Sequence, residues 1–343
     1  MEDYTFQDNL RNLLTWFLDP RSRVLDQEGA HRPEALAGHI AAAYAYLRHT
    51  PSAVMSMEKN PPIIPPRYFA QDREYRAPVN ALYHLTNGAL APFISHGYLH
   101  GSLATEDYKK GWSDLDTFMV VRDETVRDAR ALLSLRKICL DAWPLFLAVT
   151  PLQHHGFIIA TEYDISAYPT GLLPPSVLDS AWGMKKDQPP VRFRPRVASG
   201  RNHAREGLVA RRAVLAQTLE TGVYRHHPKD GVYLLSEFRN GENAMQQLFA
   251  YLGYLMTVPA YVLDAIGAGC AKRESFAKAR PLFSAAAWTA IEKASMIRNA
   301  WPEKEGIAYR GNAIPAWTRE MLGTDFLRES MICMDEACAV AAR

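Results

Sequence analysis

The chain has 343 residues, of which 48% are hydrophobic and 22% are charged, and its formal net charge is +2. This length and composition are typical of a globular protein with a sizeable core, arranged as one large or two ordinary domains. The balanced charge gives no bulk electrostatic argument for binding a long nucleic acid.

Cysteine usage and the N-terminus indicate the cellular compartment. The four cysteines have no Cys-x-x-Cys spacing, so we interpret them as reduced interior residues and not as disulfides or zinc ligands. The N-terminal Met-Glu-Asp-Tyr lacks a signal-peptide core, and no apolar run approaches the length needed to span a bilayer. We therefore expect a soluble, cytoplasmic protein with no membrane partner.

The first 75 residues are predicted to form a helical extension. Apolar residues at helical spacing predict a helix over residues 4–18, and Pro33 opens a second helix through about Leu47. The proline-rich stretch 60–66 must be extended, as a linker or a strap across the surface. This extension could cover a sheet, form a homodimer contact or shape a substrate site.

Residues 76–184 are predicted to form a small α+β core. Pro78 suits the first turn of a helix, which leads to a short strand at about Gly97–His100. The following elements are predicted as a strand, a helix and two apolar-rich strands: Asp114–Val121, Glu124–Trp143, Pro144–Thr150 and His155–Ala167. Together they predict a small mixed sheet with flanking helices.

The rest of the chain is predicted to be a basic loop followed by a helical domain. Residues 185–200 are basic and broken by prolines, which indicates a lid, an arm that binds an anionic acceptor, or a solvated connector. Residues 201–343 are predicted to form helices with Pro259, Pro281 and Pro302 at helix boundaries. The predicted helices are Glu206–Leu219, Gly231–Met256, Tyr261–Ala268, Ala285–Trp301 and Thr318–Ala342.

The most informative stretch is His100-Gly101-Ser102, followed by Asp114-Leu115-Asp116 at the head of an apolar run. Alternation along a strand places the two carboxylates on one face, about 6.5–7 Å apart along the chain. Two carboxylates aimed at one point repel each other and need protons, a cation or water, and a pair of magnesium ions is the usual solution in phosphate chemistry. Gly101 lets a phosphate approach the backbone closely, and Ser102 offers a hydroxyl and an N–H.

This pattern resembles the signature of the DNA polymerase beta-like nucleotidyltransferase superfamily, which is a hydrophobic-Gly-Ser turn, a spacer of about ten residues and an Asp-x-Asp strand. It is most similar to the bacterial small-molecule members of that superfamily, such as the aminoglycoside nucleotidyltransferases. The resemblance covers residues 79–168 and departs from the pattern at Glu106, where many relatives carry glycine.

The resemblance implies a third carboxylate on a later strand. Asp164 is the best match because it lies between two apolar neighbours, and Glu162 is the runner-up; the alternative is the solvent face of a sheet edge. His154 and His155 could bind a metal, but neighbours on a strand point to opposite faces. We therefore expect a structural or substrate-lining role for the two histidines.

The resemblance also implies the roles of the site residues. Asp114, Asp116 and Asp164 would bind two Mg²⁺ ions, with Asp164 alternatively taking the proton of the acceptor. Gly101 and Ser102 would bind the β- and γ-phosphates of a nucleoside triphosphate. Lys272 is a candidate for a further triphosphate contact, with a surface lysine of no special role as the alternative.

The sequence therefore predicts a magnesium-dependent nucleotidyltransferase. It would transfer a nucleoside monophosphate, with ATP as the default donor, to a hydroxyl of a small molecule and release pyrophosphate. One alternative is the same chemistry on a tRNA, a protein or a nucleotide, which the basic loop at 185–200 would favour. The other is a nucleotide-binding regulator without catalysis, which the retention of Asp114, Asp116 and Ser102 disfavours.

Overall fold

The computed structural model describes residues 4–26, 32–49, 51–70, 74–169, 172–196, 200–221, 223–224, 236–237, 244–270, 272–309 and 313–343. The protein is mixed α+β and 64% helical, with small sheets and a helical C-terminal region, which confirms the predicted fold class. The chain divides into two compact units. Residues 1–106, 113–169 and 177–196 form the first, and residues 107–112, 170–176 and 197–343 form the second.

The helices of the first unit are α1 (Thr5–Leu18), α2 (Pro33–Tyr46), α3 (Pro66–Ala70), α4 (Arg76–Asn87), α5 (Gly101–Ala104), α6 (Asp123–Val126), α7 (Ala129–Val149) and α8 (Glu162–Ser166). Its strands are β1 (Met57–Lys59), β2 (Ile94–Leu99), β3 (Thr117–Val121), β4 (Ile158–Thr161), β5 (Trp182–Gly183) and β6 (Val191–Phe193). The second unit contains β7 (Val223–Tyr224), β8 (Ser236–Glu237), α9 (Gly200–Thr221), α10 (Ala244–Ala265), α11 (Lys272–Ala279), α12 (Ala285–Lys304), α13 (Ala316–Leu322) and α14 (Phe326–Ala341).

The centre of the first unit is a four-stranded sheet in the order β4-β3-β2-β5. Strands β2 and β3 pair antiparallel and are buried along their whole length, whereas β3 and β4 pair parallel. The parallel connection runs through α7, against which α1, α2 and α4 pack. The two N-terminal helices thus belong to the layer that covers this sheet.

Three strand predictions were wrong. The strand after the Asp-x-Asp motif begins only at Thr117, so both aspartates precede it. Residues 144–149 continue α7, because Ala142, Phe146 and Val149 are buried at helical spacing while Leu147 is 41% exposed. The segment 155–167 holds only the short strand β4 and then turns into α8.

The helix predictions were better. Helices α1 and α2 confirm the two predicted N-terminal helices, and residues 60–65 are extended, with Ile64 bonded to Gly183 at the edge of the sheet. Helices α10 and α12 run through Pro259 and Pro302, which were wrongly predicted to end helices. Most of residues 231–243, predicted as the start of a helix, lie outside the described residues; the part described there, β8, is a strand.

One apolar helix bears on the prediction that no segment could span a membrane. Helix α10 has 22 residues and, by length and composition alone, is apolar enough to cross a bilayer. However, 72% of its most apolar window is buried within the protein. A largely buried helix of this kind is also found as the core helix of soluble proteins.

Candidate active site and metal centre

The Gly-Ser turn is built against the second aspartate of the Asp-x-Asp motif. Strand β2 ends at Leu99, and the backbone N–H of His100 donates to the carbonyl of Asp116 at 3.0 Å. The chain then turns at Gly101, whose φ is +68°. A Cβ at Gly101 would lie 2.0 Å from Asp116 Oδ2, so only glycine allows the turn and the carboxylate to lie this close together.

The two aspartates converge although they precede the strand. Asp114 Oδ2 lies 3.3 Å from His155 Nε2, and Asp116 Oδ1 lies 3.5 Å from the same nitrogen. Their side chains are 19% and 21% exposed, so small ligands can reach them. Ser102, next to Gly101, is half-buried, and its hydroxyl has no hydrogen-bond partner in the described part of the chain.

Both histidines lie at the carboxylates, against the prediction that they point to opposite faces. The alternation rule does not apply to them because β4 begins only at Ile158. His154 Nδ1 lies 3.9 Å from Asp114 Oδ2, and the two imidazole planes are inclined by 86°. His155 Nδ1 lies 2.8 Å from the carbonyl oxygen of Gly156, which leaves Nε2 turned toward the carboxylates.

Gln153 joins the two segments that form the site. Its side chain is buried, and Oε1 accepts from the N–H of Leu115, the residue between Asp114 and Asp116, at 2.9 Å. Its Nε2 donates to the carbonyl of His155 at 2.7 Å and to that of Leu115 at 3.4 Å. One buried amide thus fixes the backbones of the aspartate and histidine segments to each other.

Electrostatics at His155 favour a positive charge among the carboxylates. Burial alone would lower the pKa of His155, but hydrogen bonds and charge attraction from Asp114 and Asp116 outweigh it and raise the pKa to about 10. The three side chains together still carry a net negative charge. A triphosphate would be repelled here unless a further cation were bound.

Asp164, predicted as the third carboxylate, lies at the other end of the sheet. It follows Thr161, which pairs with Val121 at the end of β3, whereas Asp116 precedes the start of β3. The length of β3, about 16 Å at about 3.3 Å per residue, separates the two positions. Asp164 is fully buried, bonds the N–H and hydroxyl of Thr161, and lies 3.4 Å from the Arg11 guanidinium.

Glu162, the runner-up, also lies away from the Asp-x-Asp segment. Its Oε2 accepts from the N–H of Asp123 at 2.9 Å. It borders a cavity of about 470 Å³ at the end of β3 opposite the aspartates. The other lining residues are Ser95, His96, Val120, Ile165, Pro189, Pro190, Val191 and Arg192.

Lys272 is the first residue of α11 in the second unit and is exposed. Its carbonyl accepts from the Ser275 hydroxyl within that helix at 2.6 Å. Its contact with a triphosphate stays a prediction.

The donor set of the site differs from the one expected. Asp114, His154 and His155 offer ligand atoms that all lie within 4.8 Å of one another, and Asp116 lies beside them. The two carboxylates fit a hard ion such as Mg²⁺, but a third carboxylate is replaced by imidazole nitrogens. The residues present therefore fit a divalent ion with mixed oxygen and nitrogen ligands.

Comparisons of the chain with protein-family models, with curated proteins and with solved structures gave no match.

The sequence contained a signal for the histidines and for Gln153 that the strand prediction obscured. Gln153-His154-His155 directly precede an apolar strand, as Asp114 and Asp116 do. Residues that lead into two neighbouring parallel strands meet at the same edge of a sheet. Once β3 and β4 are known to be parallel neighbours, the two polar segments are expected to lie side by side.

Proposed function

We propose that this protein is a divalent-metal-dependent nucleotidyltransferase. It transfers a nucleoside monophosphate, with ATP as the default donor, to a hydroxyl of a small-molecule acceptor and releases pyrophosphate. The observation that carries this proposal is the convergence of Asp114, Asp116 and the Gly101-Ser102 turn at one edge of a small mixed sheet.

The close approach of Gly101 to Asp116 supports the proposal most directly. A solvated Asp-x-Asp turn has no need of a glycine whose backbone lies against the carboxylate. In a phosphate-binding site that arrangement is useful, because the backbone of the turn and a cation on the carboxylate then face the same phosphate oxygens. The spacing of the Gly-Ser turn and the Asp-x-Asp motif in the sequence, and the contact between Gly101 and Asp116 in the fold, both favour a phosphate-binding site.

The protein residues would act mainly by positioning the substrates. A divalent ion held by Asp114 and Asp116 would supply the positive charge that the α-phosphate and the leaving pyrophosphate need. Ser102 would donate its hydroxyl and N–H to phosphate oxygens. The acceptor hydroxyl loses its proton as its oxygen forms the bond to the α-phosphorus, and the carboxylate pair offers Oδ atoms to take that proton.

The test is the transfer of label from each α-labelled nucleoside triphosphate to acceptors in a fractionated cell extract, with release of pyrophosphate as a second readout. We expect Asp114→Asn and Asp116→Asn each to reduce transfer by about a thousandfold or more, because each removes several kcal/mol of charge stabilisation. Asp141→Asn is the matched control, since Asp141 is exposed on α7 and pairs only with Lys137 among the described residues.

The outcomes separate the alternatives. Label in the small-molecule fraction supports the proposal and identifies the donor base. Label in RNA or protein would mean that the protein is a nucleotidyltransferase whose acceptor is a macromolecule and not a small molecule. A third outcome is that the protein binds a nucleotide but gives neither transfer nor pyrophosphate release with any donor or fraction. This would show that it is a nucleotide-binding protein and not an enzyme.

A further inference from the structure

Among the described residues, the edge of the sheet that holds the aspartates has two imidazoles where the resemblance implies a third carboxylate. Asp164 and Glu162 both lie at the opposite end of β3 and β4. The segment that leads into β4 brings His154 and His155 to Asp114. The donor atoms at this edge are therefore carboxylate oxygen and imidazole nitrogen.

The distances between these donor atoms suit one small ion. Ligand atoms about 2.0–2.2 Å from a tetrahedral ion are about 3.3–3.6 Å from one another. His155 Nε2 lies 3.3 Å from Asp114 Oδ2 and 3.5 Å from Asp116 Oδ1, and His154 Nδ1 lies 3.9 Å from Asp114 Oδ2. The last of these distances would have to shorten by a few tenths of an ångström for the residues to share an ion, and the ligand atoms of Asp114, His154 and His155 all lie within 4.8 Å of one another.

The imidazole of His155 is oriented as metal ligands usually are. Its Nδ1 lies 2.8 Å from the carbonyl oxygen of Gly156, which can only accept, so Nδ1 carries the hydrogen. This contact directs Nε2 toward the carboxylates and supports the ring from behind, as backbone carbonyls do for metal-bound histidines, and a bound ion would displace the proton that Nε2 otherwise shares with the carboxylates. Gln153 adds a second support because it holds the backbone of His155 against that of Leu115.

We propose that Asp114, His154 and His155, with Asp116 beside them, bind a single divalent transition-metal ion in place of two magnesium ions. Imidazole nitrogen is a good ligand for Zn²⁺, Fe²⁺ and Ni²⁺, whereas Mg²⁺ prefers oxygen ligands; Mn²⁺ accepts the carboxylates of a mixed site. The inference names the cofactor class of the proposed nucleotidyltransferase site and rests on that function only for the use of the ion. Three protein ligands at a partly exposed position leave room for a phosphate oxygen as a further ligand.

The test is metal binding to the whole chain after treatment with a chelator. Equilibrium dialysis against Zn²⁺, Mn²⁺ or Mg²⁺ should give one Zn²⁺ or Mn²⁺ per chain, with Zn²⁺ bound about 100-fold or more tightly than Mg²⁺. Bound Co²⁺ should show the strong visible absorption of a four- or five-coordinate site. Weak Mg²⁺-like binding of all the ions, or two ions per chain, would overturn the inference.

Variants identify the ligands. His155→Gln and His154→Gln should each weaken Zn²⁺ binding about 100-fold or more while the protein remains folded by circular dichroism. His84→Gln is the matched control because His84 is exposed on α4. A variant that fails to fold is replaced by Asp114→Asn, which should abolish the Co²⁺ absorption. Unchanged affinity in the histidine variants would overturn the inference.

The two proposals fail in different ways. Tight, histidine-dependent Zn²⁺ binding without any label transfer would leave the metal site in place and refute the nucleotidyltransferase. Transfer with Mg²⁺ that is unaffected by His154→Gln and His155→Gln would support the nucleotidyltransferase and refute the transition-metal site.

Discussion

At the scale of single residues, the candidate site depends on one glycine. Gly101 has a positive φ, and the space for its missing side chain is filled by the carboxylate of Asp116. The positive φ disfavours a residue with a side chain, and the carboxylate of Asp116 occupies the space that its Cβ would need. This makes Gly101 part of the positioning of Asp116, and not merely a flexible link.

We therefore expect Gly101→Ala to displace the carboxylate of Asp116 and to lower label transfer about 100-fold, because a displacement of about 1 Å at a reacting centre has that effect. The matched control is Gly38→Ala in α2, where a Cβ meets nothing within 4 Å. That change should raise the free energy of unfolding by about 0.5–1 kcal/mol, as alanine does in a helix. Equal activity of the two variants would show that the contact at Gly101 has no role.

At the scale of elements, helices were predictable from the sequence and short strands were not. The N-terminal helices follow from apolar residues at helical spacing, which is a local property. The sequence predicts a strand for Pro144–Thr150 because a short, wholly apolar run fits a buried strand and a buried helix equally well. The two structures differ in which side chains of the run are buried, and this depends on packing against other segments of the chain.

A local signal did exist for α8. In the sequence Thr161-Glu162-Tyr163-Asp164, a threonine is followed three residues later by a carboxylate, which is the pattern of a capping box. In the structure the Asp164 N–H donates to Thr161 Oγ1 at 3.3 Å, and the Thr161 N–H donates to Asp164 Oδ2 at 2.8 Å. The motif thus indicates that the Asp164 carboxylate caps the start of a helix. In the structure the same carboxylate also forms an ion pair with Arg11.

Asp164→Asn tests whether this carboxylate is structural. Asparagine removes the negative charge that faces the buried Arg11, which keeps Asp8 as a carboxylate partner at 2.8 Å, so we expect the free energy of unfolding to fall by about 1–3 kcal/mol. Urea denaturation measures this change. Metal affinity, measured below the unfolding transition, should stay within about twofold of that of the original chain if Asp164 is no ligand. Loss of metal binding in a folded Asp164→Asn protein would restore its predicted role as the third carboxylate.

At the scale of the whole molecule, the site is formed by segments that only the fold brings together. The Gly-Ser turn and the aspartates were recognisable because they lie within one short stretch of sequence. His154 and His155 follow nearly forty residues later, after the whole of α7. Their contribution depends on β3 and β4 being parallel neighbours, a long-range pairing that one sequence does not reveal.

Both compact units also contain a buried, uncharged histidine. In the first unit, burial lowers the pKa of His96 to about 4, and Lys185 and Arg122 act in the same direction against the hydrogen bond to the carbonyl of Pro189. In the second unit, burial lowers the pKa of His203 to about 4. Neither ring is charged at neutral pH.

These histidines make the stability of the whole protein sensitive to acid. Below an ordinary histidine pKa of 6.5 the unfolded chain takes up protons that the folded chain accepts only near pH 4. The unfolded state therefore binds more protons between these values, and stability falls as the pH is lowered through this window. From pH 6.5 to 4.5 we expect a loss of about 2 kcal/mol for each histidine.

The measurement is urea unfolding between pH 4.5 and 6.5, for the original chain, for His96→Gln and for His203→Gln. Glutamine does not titrate, and its amide can still donate to the carbonyl that His96 contacts at 3.0 Å. Each variant should start less stable at pH 6.5 but lose less stability on acidification, since one proton-binding difference is gone. The carboxylates contribute equally to all three proteins, so the difference between the curves isolates the histidine. Parallel curves would mean that the two rings are protonated alike in the folded and unfolded states, and the acid sensitivity would then have to come from other groups.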